Sequence, residues 1–379
     1  MTLRPPPIPL ALALALAAAT ALAATSASTS RAEDVTPLPI GAPLPDFRLP
    51  GVDGKTYTPG DFADAEVLVV VFTCNHCPTA QAYEGRIARL LDDYEDKGVA
   101  LVAISPNDPL AVRLDELGYT DLGDSFEEMK IRAQDHGFNY PYLYDGETQE
   151  TSRAFGVLAT PHVFIFDRDR ALRYQGRFDD SEVKEVSSHD AIDAVEALLA
   201  GRPVPHPTTR VFGCSTKWAD KRASARESLA RWDAEPVAIE PIGLEAVAEL
   251  ASNDTDDLLL VNLWATWCGP CVAELPELVT INRMYRQRDF RMITISLDDP
   301  EHRDKALDVL RKHHVSSTNY ILDADDRDAF AEALDPSWPG PVPYTLLIAP
   351  GGKVINRQVG ELDPLEVKRA IVEHLGRTY

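Results

Sequence analysis

The sequence predicts an α/β protein in which one order of strands and helices occurs twice. Two observations support this prediction. In each half of the chain a CxxC motif stands between an apolar strand run and a helix, and in each half a proline precedes a further apolar strand. The two motifs are Cys74-Asn75-His76-Cys77 and Cys268-Gly269-Pro270-Cys271. The repeat indicates two domains, each with a central mixed sheet flanked by helices.

In the first half, runs rich in β-branched residues alternate with helical patterns bounded by capping residues. The expected elements are a hairpin-like lead-in over 45–57, a strand over 67–72, a helix from the CxxC to about 94, a strand over 99–104, a helix from Ser125 as N-cap to Gly137, strands over 162–166 and 171–176, and a closing helix over 190–200. The stretch 106–124 has no clear periodicity, which predicts a loop.

The second half repeats this order. The expected elements are a helix over 244–251, a strand over 258–264, a helix to about 288, a strand over 290–295, a helix around 304–313, strands over 344–348 and 354–359, and a final helix over 364–375. Between the halves, the stretch 217–242 is charged and Ala-rich at its start, which favours a helical connector.

The chain of 379 residues is acidic, with 37 Lys and Arg against 60 Asp and Glu and a net charge of −23. The sequence contains no basic patch, so nucleic acid and anionic membrane surfaces are not expected partners. Five cysteines are too few for a disulfide-stapled scaffold, and four of them fall in the CxxC pairs. This distribution indicates reactive rather than structural sulfur.

Residues 1–32 have the features of a secretory signal peptide. Arg4 supplies positive charge, 8–24 is an apolar run of mostly Leu and Ala, and small residues that suit cleavage follow. An uncleaved membrane anchor is the alternative, but the run is shorter than the ~20 residues that a spanning helix needs. We therefore expect export to the periplasm or another extracytoplasmic space, where disulfides persist.

A CxxC at the start of a helix suits thiol–disulfide exchange. The unpaired N–H groups and positive dipole end of the helix stabilise a thiolate on the first cysteine, and the second cysteine resolves the mixed disulfide. We expect Cys74 and Cys268 to be the attacking or attacked sulfurs and Cys77 and Cys271 the resolving ones. No organic cofactor is expected, because the disulfide itself carries the two electrons.

His76 is expected to tune the first motif. An imidazole beside Cys77 can donate to the Cys74 thiolate, or stabilise it as a cation. Stabilising the reduced form in this way makes the disulfide a stronger oxidant. The alternative is that His76 caps the start of the helix in solvent.

The segment Trp264-Ala265-Thr266-Trp267-Cys268-Gly269-Pro270-Cys271 is followed by Glu274, and Gly340-Pro341-Val342-Pro343-Tyr344-Thr345 lies downstream. Together these motifs resemble the thioredoxin superfamily, and specifically the TlpA/ResA-type exported thiol–disulfide oxidoreductases, over roughly 238–379. The resemblance implies a cis Pro343 facing the CxxC, and a substrate that contacts the backbone of Val342 and the side chain of Trp267. It also implies that the substrates are protein thiols and disulfides, with a membrane thiol donor and apocytochrome c as candidate partners.

In the TlpA/ResA branch a buried glutamate serves the active site, and Glu274 matches it. Thioredoxin itself has a buried Asp at the position of Asn262. The (i, i+3) spacing places Glu274 on the helix face of Cys271, so the carboxylate can take or give the proton on that sulfur. A solvated surface glutamate is the alternative.

The first half is similar to the redoxin (AhpC/TSA-like) group of thioredoxin-fold proteins. The matching stretches are 71–78, 82–84, 138–145, Thr160-Pro161 and 212–218. The two resemblances imply tandem thioredoxin-like folds behind the signal peptide, with a substrate-binding role for Thr160 and Pro161. The expected divisions are a redoxin-like domain over 37–216, the connector over 217–242 and a TlpA/ResA-like domain over 243–379.

The redoxin-like group makes thiol peroxidase activity an alternative function for the first domain. Peroxiredoxins, however, place a Thr or Ser three residues before the peroxidatic cysteine. In this chain Val71 precedes Cys74 at that distance, and Cys74 precedes Cys77. The peroxide-activating pattern is therefore missing from the sequence.

Two questions about the cysteines stay open. Cys214, the fifth cysteine, is either a resolving partner for the first CxxC or a small buried residue. Copper binding by Cys74, Cys77 and His162 is an alternative to redox function, because thiolate and imidazole suit copper. A zinc site shared by both pairs is not expected, since zinc ribbons separate their pairs by only ~15–20 residues. The oxidoreductase interpretation requires no metal.

Overall fold

The computed structural model describes residues 35–378. The expected signal peptide over 1–32 lies outside the described residues. Within the described part of the chain, no helix combines the length and apolar character that crossing a bilayer requires.

The first domain is built around a five-stranded sheet of order β5-β4-β3-β7-β8. Its elements are β1 (Leu49–Pro50), β2 (Thr56–Tyr57), β3 (Val67–Phe72), α1 (Pro78–Tyr94), β4 (Val99–Ser105), α2 (Phe126–Asp135), β5 (Tyr142–Tyr144), α3 (Glu150–Phe155), β6 (Ala159–Thr160), β7 (His162–Phe166), β8 (Leu172–Gly176), α4 (Asp190–Leu199) and β9 (Cys214–Ser215). β3 runs parallel to β4 and antiparallel to β7. The sheet is therefore mixed, as predicted.

β3 is buried along its whole length. Successive side chains of a strand point to opposite faces of the sheet, so its alternate residues enter two separate apolar cores. A continuous run of Val, Leu and Phe suits a strand that is covered on both faces. The carboxyl end of β3 thus delivers the first CxxC to the edge of the sheet.

α2 begins at the predicted place because a capping box fixes its start. The Ser125 hydroxyl accepts a hydrogen bond from Glu128 N, and the Glu128 carboxylate accepts one from Ser125 N. The helix ends at Asp135, two residues before the predicted stop at Gly137. The preceding stretch 106–124 is irregular, as expected, apart from 3₁₀ turns at Pro109–Ala111 and Leu114–Leu117.

The second domain has a six-stranded sheet of order β10-β13-β12-β11-β14-β15. Along the chain, α5 (Arg222–Asp233) follows the strands of the first domain and precedes those of the second. The second domain's elements are β10 (Glu240–Ile242), α6 (Leu244–Ser252), β11 (Leu258–Trp264), α7 (Gly269–Tyr285), β12 (Phe290–Ser296), α8 (Arg303–Lys312), β13 (Thr318–Leu322), α9 (Arg327–Leu334), β14 (Tyr344–Ala349), β15 (Lys353–Val359) and α10 (Pro364–Leu375). β11 takes the central place that β3 takes in the first sheet.

The division at residue 243 that the sequence predicts needs a correction. α5 is helical, as expected of the connector, but the connector's last residues form β10, which pairs in parallel with β13. The second sheet therefore begins at Glu240. A three-residue strand whose partner lies some 80 positions away carries little local signal, because its pairing decides its conformation.

The two domains are joined by direct contacts that the sequence did not indicate. The hydroxyl of Tyr285, at the end of α7, donates to the carbonyl of Thr120 at 2.7 Å. Arg377 forms an ion pair with the buried Asp121 at 2.5 Å. Arg288 donates to the carbonyl of Gly118 at 2.9 Å. The irregular stretch 106–124 of the first domain is therefore part of the contact with the second.

Candidate active sites

The second CxxC lies at the N-terminus of α7, as predicted. Cys268 is the N-cap, and its sulfur accepts a hydrogen bond from Cys271 N at 3.3 Å. The two cysteines form a disulfide. The Val342–Pro343 peptide is cis, and the Val342 carbonyl oxygen lies 3.7 Å from the Cys268 sulfur. The two motifs predicted to meet in this half therefore do so.

Glu274 is buried beneath this disulfide rather than solvated on the helix surface. One carboxylate oxygen accepts a hydrogen bond from Asn262 Nδ2 at 2.9 Å, and the other accepts one from Leu362 N at 3.2 Å. Burial outweighs these hydrogen bonds and raises the pKa of Glu274 to about 7. A carboxyl group with such a pKa exchanges protons near neutral pH.

Asn262 holds Glu274 in place. Its Nδ2 also donates to the Thr345 hydroxyl at 3.0 Å, so the amide links β11, α7 and β14. The amide nitrogen therefore fixes the carboxylate through a neutral hydrogen bond. An ionised Asp at this position would instead face Glu274 with a like charge.

The surroundings of the second site suit a macromolecular substrate. Trp267 stands beside Cys268 with 67% of its surface exposed. A cavity of about 540 Å³ lies on the other side of the motif; its lining residues are Pro270, Ala273, Glu274, Glu277, Glu361, Leu362 and Pro364. Glu274 thus lines this cavity, although its side chain is buried. An exposed tryptophan next to the reactive sulfur is a ready contact for a protein partner.

The first CxxC differs from the second in that neither of its cysteines is in a disulfide. All four cysteines are buried, but Cys268 is 7% exposed whereas Cys74 is 1% exposed. The Cys74 sulfur lies 3.1 Å from the Thr160 hydroxyl, and the Cys77 sulfur lies 3.4 Å from the Thr160 carbonyl oxygen. The Thr160–Pro161 peptide is cis. Here too the residue before the cis proline faces the cysteine pair.

His76 is buried in an ion pair with Asp124, not exposed as a solvent cap. Its Nδ1 lies 2.5 Å from Asp124 Oδ2, and the other carboxylate oxygen accepts hydrogen bonds from the backbone N–H groups of Asn75 and His76. Asn107 Nδ2 donates to Asp124 as well. Burial opposes the charged imidazole, but Asp124 outweighs it and raises the pKa of His76. In the same way His76 overcomes burial and lowers the pKa of Asp124.

The helix start in this motif favours a thiolate on the second cysteine, whereas the sequence predicts the first as the attacking sulfur. α1 begins at Pro78, so Cys77 and not Cys74 is the N-cap nearest the positive end of the helix. Burial raises the pKa of the Cys74 thiol, and the charge of Asp124 raises it further. Burial acts in the same direction on Cys77, but hydrogen bonds from Cys214 and Cys74 and the charge of His76 together lower its pKa. The thiolate of this pair is therefore favoured on Cys77.

The substrate-binding role expected of Thr160 meets an obstacle. β6, which ends at Thr160, already pairs antiparallel with β9, and Cys214 is the partner of Thr160 in that ladder. Cys214 packs half-buried against the cysteine pair. In the second domain, within residues 35–378, no strand pairs with Val342 in this way. The backbone edge beside the first cis proline is thus occupied by the chain itself.

The ligand set of the copper-binding alternative does not assemble around His162. Both ring nitrogens of His162 are in hydrogen-bond contact, one with Leu158 N at 3.4 Å and one with Gln175 Oε1 at 3.0 Å. Burial lowers its pKa to about 4. Across the described residues, one group of metal-ligating side chains has its ligand atoms mutually within 4.8 Å: Cys74, His76 and Asp124. His76 and Asp124 of that group already pair with each other.

Sequence reasoning missed Asp124, Asn107 and Thr345. Asp124 contacts His76 across 48 positions, and Thr345 contacts Asn262 across 83. A polar residue in an aperiodic loop gives no sign of which motif it will face. Asp124 directly precedes the Ser125 helix cap, which marks a turn but not a partner.

Comparison with known proteins agrees with this architecture. Residues 40–175 match the AhpC/TSA family, and residues 248–372 match the Redoxin family. The chain is 30% identical over 135 residues to the thiol:disulfide interchange protein HelX of Rhodobacter capsulatus, covering 36% of this chain and 70% of HelX. It therefore belongs to the thiol:disulfide interchange protein family that includes HelX, with an AhpC/TSA domain and a redoxin domain in tandem.

Two further similarities extend the comparison. The thiol-disulfide oxidoreductase ResA of Oceanobacillus iheyensis is 27% identical over 96 residues, which is 25% of this chain and 46% of ResA. The chain thus spans about half the length of the first ResA relatives that it matches. A crystal structure of a hypothetical protein from Sinorhizobium meliloti is 33% identical, covers 48% of this chain and 97% of its own, and aligns with a TM-score of 0.44.

Proposed function

We propose that this protein is an exported thiol–disulfide oxidoreductase that exchanges disulfides with protein substrates, with Cys268–Cys271 as its principal site and Cys74–Cys77 as a second. One observation carries the proposal. The Cys268–Cys271 pair caps a helix opposite Val342, with a buried carboxyl group of pKa about 7 one turn along that helix. Thiol, helix end and proton acceptor are the parts that exchange requires.

In the reduced protein, the Cys268 thiolate attacks a substrate disulfide and forms a mixed disulfide, and one substrate thiolate leaves. Cys271 then attacks Cys268, which closes the Cys268–Cys271 disulfide and releases the second substrate thiolate. Glu274 accepts the proton of the Cys271 thiol in that step. Cys268 takes the exposed role because it retains some accessible surface, whereas Cys271 has none.

For the partners we propose apocytochrome c cysteines as substrates and a membrane thiol reductant as the electron donor. The resemblance to the TlpA/ResA type supports both. The exposed Trp267 beside Cys268 provides a surface for a protein partner. The apolar run over 8–24 supports an extracytoplasmic location, in which such partners would be met.

Trapping tests this proposal on the full chain. Cys271→Ser should accumulate mixed disulfides at Cys268 in cells, because the resolving attack is lost. Cys268→Ser, which lacks the attacked sulfur, is the matched control and should trap none at this site. Partners are identified by mass spectrometry after release with reductant. Failure of Cys271→Ser to trap any protein would contradict the proposed exchange.

A second candidate function is thiol peroxidase activity of the first domain. The AhpC/TSA match and the lowered pKa of Cys77 at the N-terminus of α1 favour it. Against it stand the missing Thr or Ser and the full burial of Cys77. In addition, a low pKa lowers intrinsic nucleophilicity, so it does not by itself give peroxidase rates.

Stopped-flow oxidation separates the two functions. The full chain carrying Cys268→Ala and Cys271→Ala, fully reduced, is mixed with hydrogen peroxide or with a disulfide. We expect the disulfide to react far faster than peroxide. A rapid peroxide reaction that Cys77→Ser abolishes, with Cys214 entering a disulfide, would establish the peroxidase instead.

A further inference from the structure

The three cysteines of the first domain form one cluster. Cys74 and Cys77 are buried, and Cys214 packs against them from β9. The Cys77 sulfur has hydrogen bonds with both Cys74 and Cys214. Cys77 is therefore the middle member of the cluster, able to pair with either neighbour but with only one at a time.

The backbone holds Cys214 in this position. Cys214 is the ladder partner of Thr160, the residue whose hydroxyl and carbonyl contact Cys74 and Cys77. Gly213 has φ of +132°, and a Cβ at that position would lie 2.1 Å from the Thr160 carbonyl oxygen. Only glycine allows the two segments to approach this closely. The fold thus places a third sulfur at the cis-proline edge of the first domain.

The buried pair has an access problem that Cys214 solves. Cys74 is 1% exposed and Cys77 is fully buried, so a protein disulfide has no direct path to either sulfur. Cys214 is half-buried and is the most exposed cysteine of the cluster.

We propose that Cys214 is the entry sulfur of a three-cysteine relay through which the buried Cys74–Cys77 pair exchanges electrons with external disulfides. This inference deepens the proposed function and rests on it. In this relay Cys214 contacts the substrate, and Cys77 exchanges the disulfide with both Cys214 and Cys74. Cys74 becomes the terminal partner that stores the disulfide inside the domain.

The relay proceeds in three exchanges. The Cys214 thiolate attacks the external disulfide, and one external thiolate leaves. The Cys77 thiolate attacks the Cys214 sulfur, which forms Cys77–Cys214 and releases the second external thiolate. Cys74 attacks Cys77, forms Cys74–Cys77 and passes its proton to the departing Cys214. The external disulfide is reduced by two electrons to two thiols, and the Cys74–Cys77 dithiol is oxidised to the disulfide.

The test uses the full chain with Cys268→Ala and Cys271→Ala, so that only the first-domain cysteines report. The reduced protein is mixed with glutathione disulfide, quenched with an alkylating reagent and mapped by mass spectrometry. With Cys74→Ser added, Cys77–Cys214 should accumulate. With Cys77→Ser added, glutathione should remain on Cys214. With Cys214→Ser added, formation of Cys74–Cys77 should slow by at least about tenfold, because thiol exchange depends on access.

Ser215→Ala in the same strand is the matched control and should oxidise at the rate of the parent. The relay is wrong if Cys214→Ser forms Cys74–Cys77 at the parental rate. It is also wrong if Cys74→Ser carries glutathione on Cys77 and never forms Cys77–Cys214. Circular dichroism of each variant excludes unfolding as the cause. Because the second site is silenced here, these outcomes are independent of partner trapping at Cys268, which tests the proposed function itself.

Discussion

The two CxxC motifs of this chain share a spacing and a place between strand and helix, yet they differ in which cysteine caps the helix and in what surrounds it. In the second motif Cys268 caps α7 and an exposed Trp267 stands beside it. In the first motif the cap falls on Cys77, one helical turn later, and the first cysteine is 1% exposed where Cys268 is 7% exposed. The comparison teaches that the motif fixes the chemistry, whereas the start of the helix and its neighbours decide which sulfur reacts and what can reach it.

The largest effect expected from this difference is in protein disulfide reduction. Cys268→Ser should lower kcat/KM for insulin reduction by more than about 10³-fold, since it removes the attacking sulfur. Cys74→Ser should lower it far less, because Cys74 is 1% exposed against 7% for Cys268. Equal losses in the two variants, measured by insulin turbidity, would show that the sites do not differ as their burial suggests.

Removing the charge of Asp124 tests the electrostatics peculiar to the first site. Asp124→Asn should reduce the free energy of unfolding by about 3–5 kcal/mol at pH 5, where it leaves a buried charged imidazole without its partner. Chemical denaturation measures this loss. Asp115→Asn, which removes a less buried ion pair with Arg113 in the same loop, is the control and should cost less.

The pH dependence of that loss has a definite sign. The raised pKa of His76 adds stability below pH 6.5, and this stability is lost as pH rises through the pKa of His76 in the folded protein. The lowered pKa of Asp124 adds stability above pH 3.8, and this stability is lost as pH falls through the pKa of Asp124 in the folded protein. The pair therefore contributes fully between these limits. A penalty for Asp124→Asn that grows with increasing pH would contradict the ion pair.

Glu274 provides the corresponding test of the second site. Glu274→Gln should slow exchange by about 10²-fold, the typical contribution of a general acid–base group. The rate profile of the unaltered protein should have an inflection near pH 7, the pKa of Glu274, and the variant should lack it. Glu277→Gln, exposed on the same helix, is the matched control. A profile unchanged in Glu274→Gln would remove the proton-transfer role.

The pH dependence of the free energy of unfolding should also reflect the raised pKa of Glu274. Its pKa is about 7 in the fold against an ordinary value of 4.5, so the fold favours the protonated form. The stability it contributes is complete below pH 4.5 and is lost as pH rises through 7, by at most about 3 kcal/mol. Denaturation midpoints should therefore fall over this range in the unaltered protein, and less steeply in Glu274→Gln.

The smallest expected effect is a difference in reduction potential. The Cys268 pair should lie near the thioredoxin value of roughly −270 mV, and the first pair some tens of millivolts higher, because His76 stabilises a thiolate. Titration of full chains with one pair replaced by Ala measures each potential separately. Equal potentials, or the reverse order, would show that His76 exerts no such effect.

Much of the fold could be predicted from the sequence. The bounds of β3 follow from an unbroken apolar run, and the start of α2 follows from Ser125 and its capping partner. Short strands such as β5 and β10 could not be predicted, because two or three residues acquire a strand conformation from their partner in the sheet.

Of the candidate sites, the residues that carry chemistry could be predicted and their environments could not. The CxxC pairs follow from spacing, whereas the two prolines that face them and the buried Glu274 follow from the family resemblances. The lowered pKa of Cys77 relative to Cys74 could not be predicted, since it depends on a helix that begins one turn later and on an aspartate 50 positions away from Cys74. The position of Cys214 beside Cys77 depends on a strand of two residues, which is too short to produce a periodic pattern in the sequence.

The stretch 106–124 serves both domains at once. Within the first domain, Asp124 forms an ion pair with His76. Toward the second domain, Asp121 pairs with Arg377, and the carbonyl of Thr120 accepts a hydrogen bond from the hydroxyl of Tyr285, on the helix that carries the second disulfide. A cut within α5 would therefore not release two self-sufficient modules, since each half would lose partners for buried polar groups. The halves should instead complement each other in trans and be recovered as one complex when they are produced together.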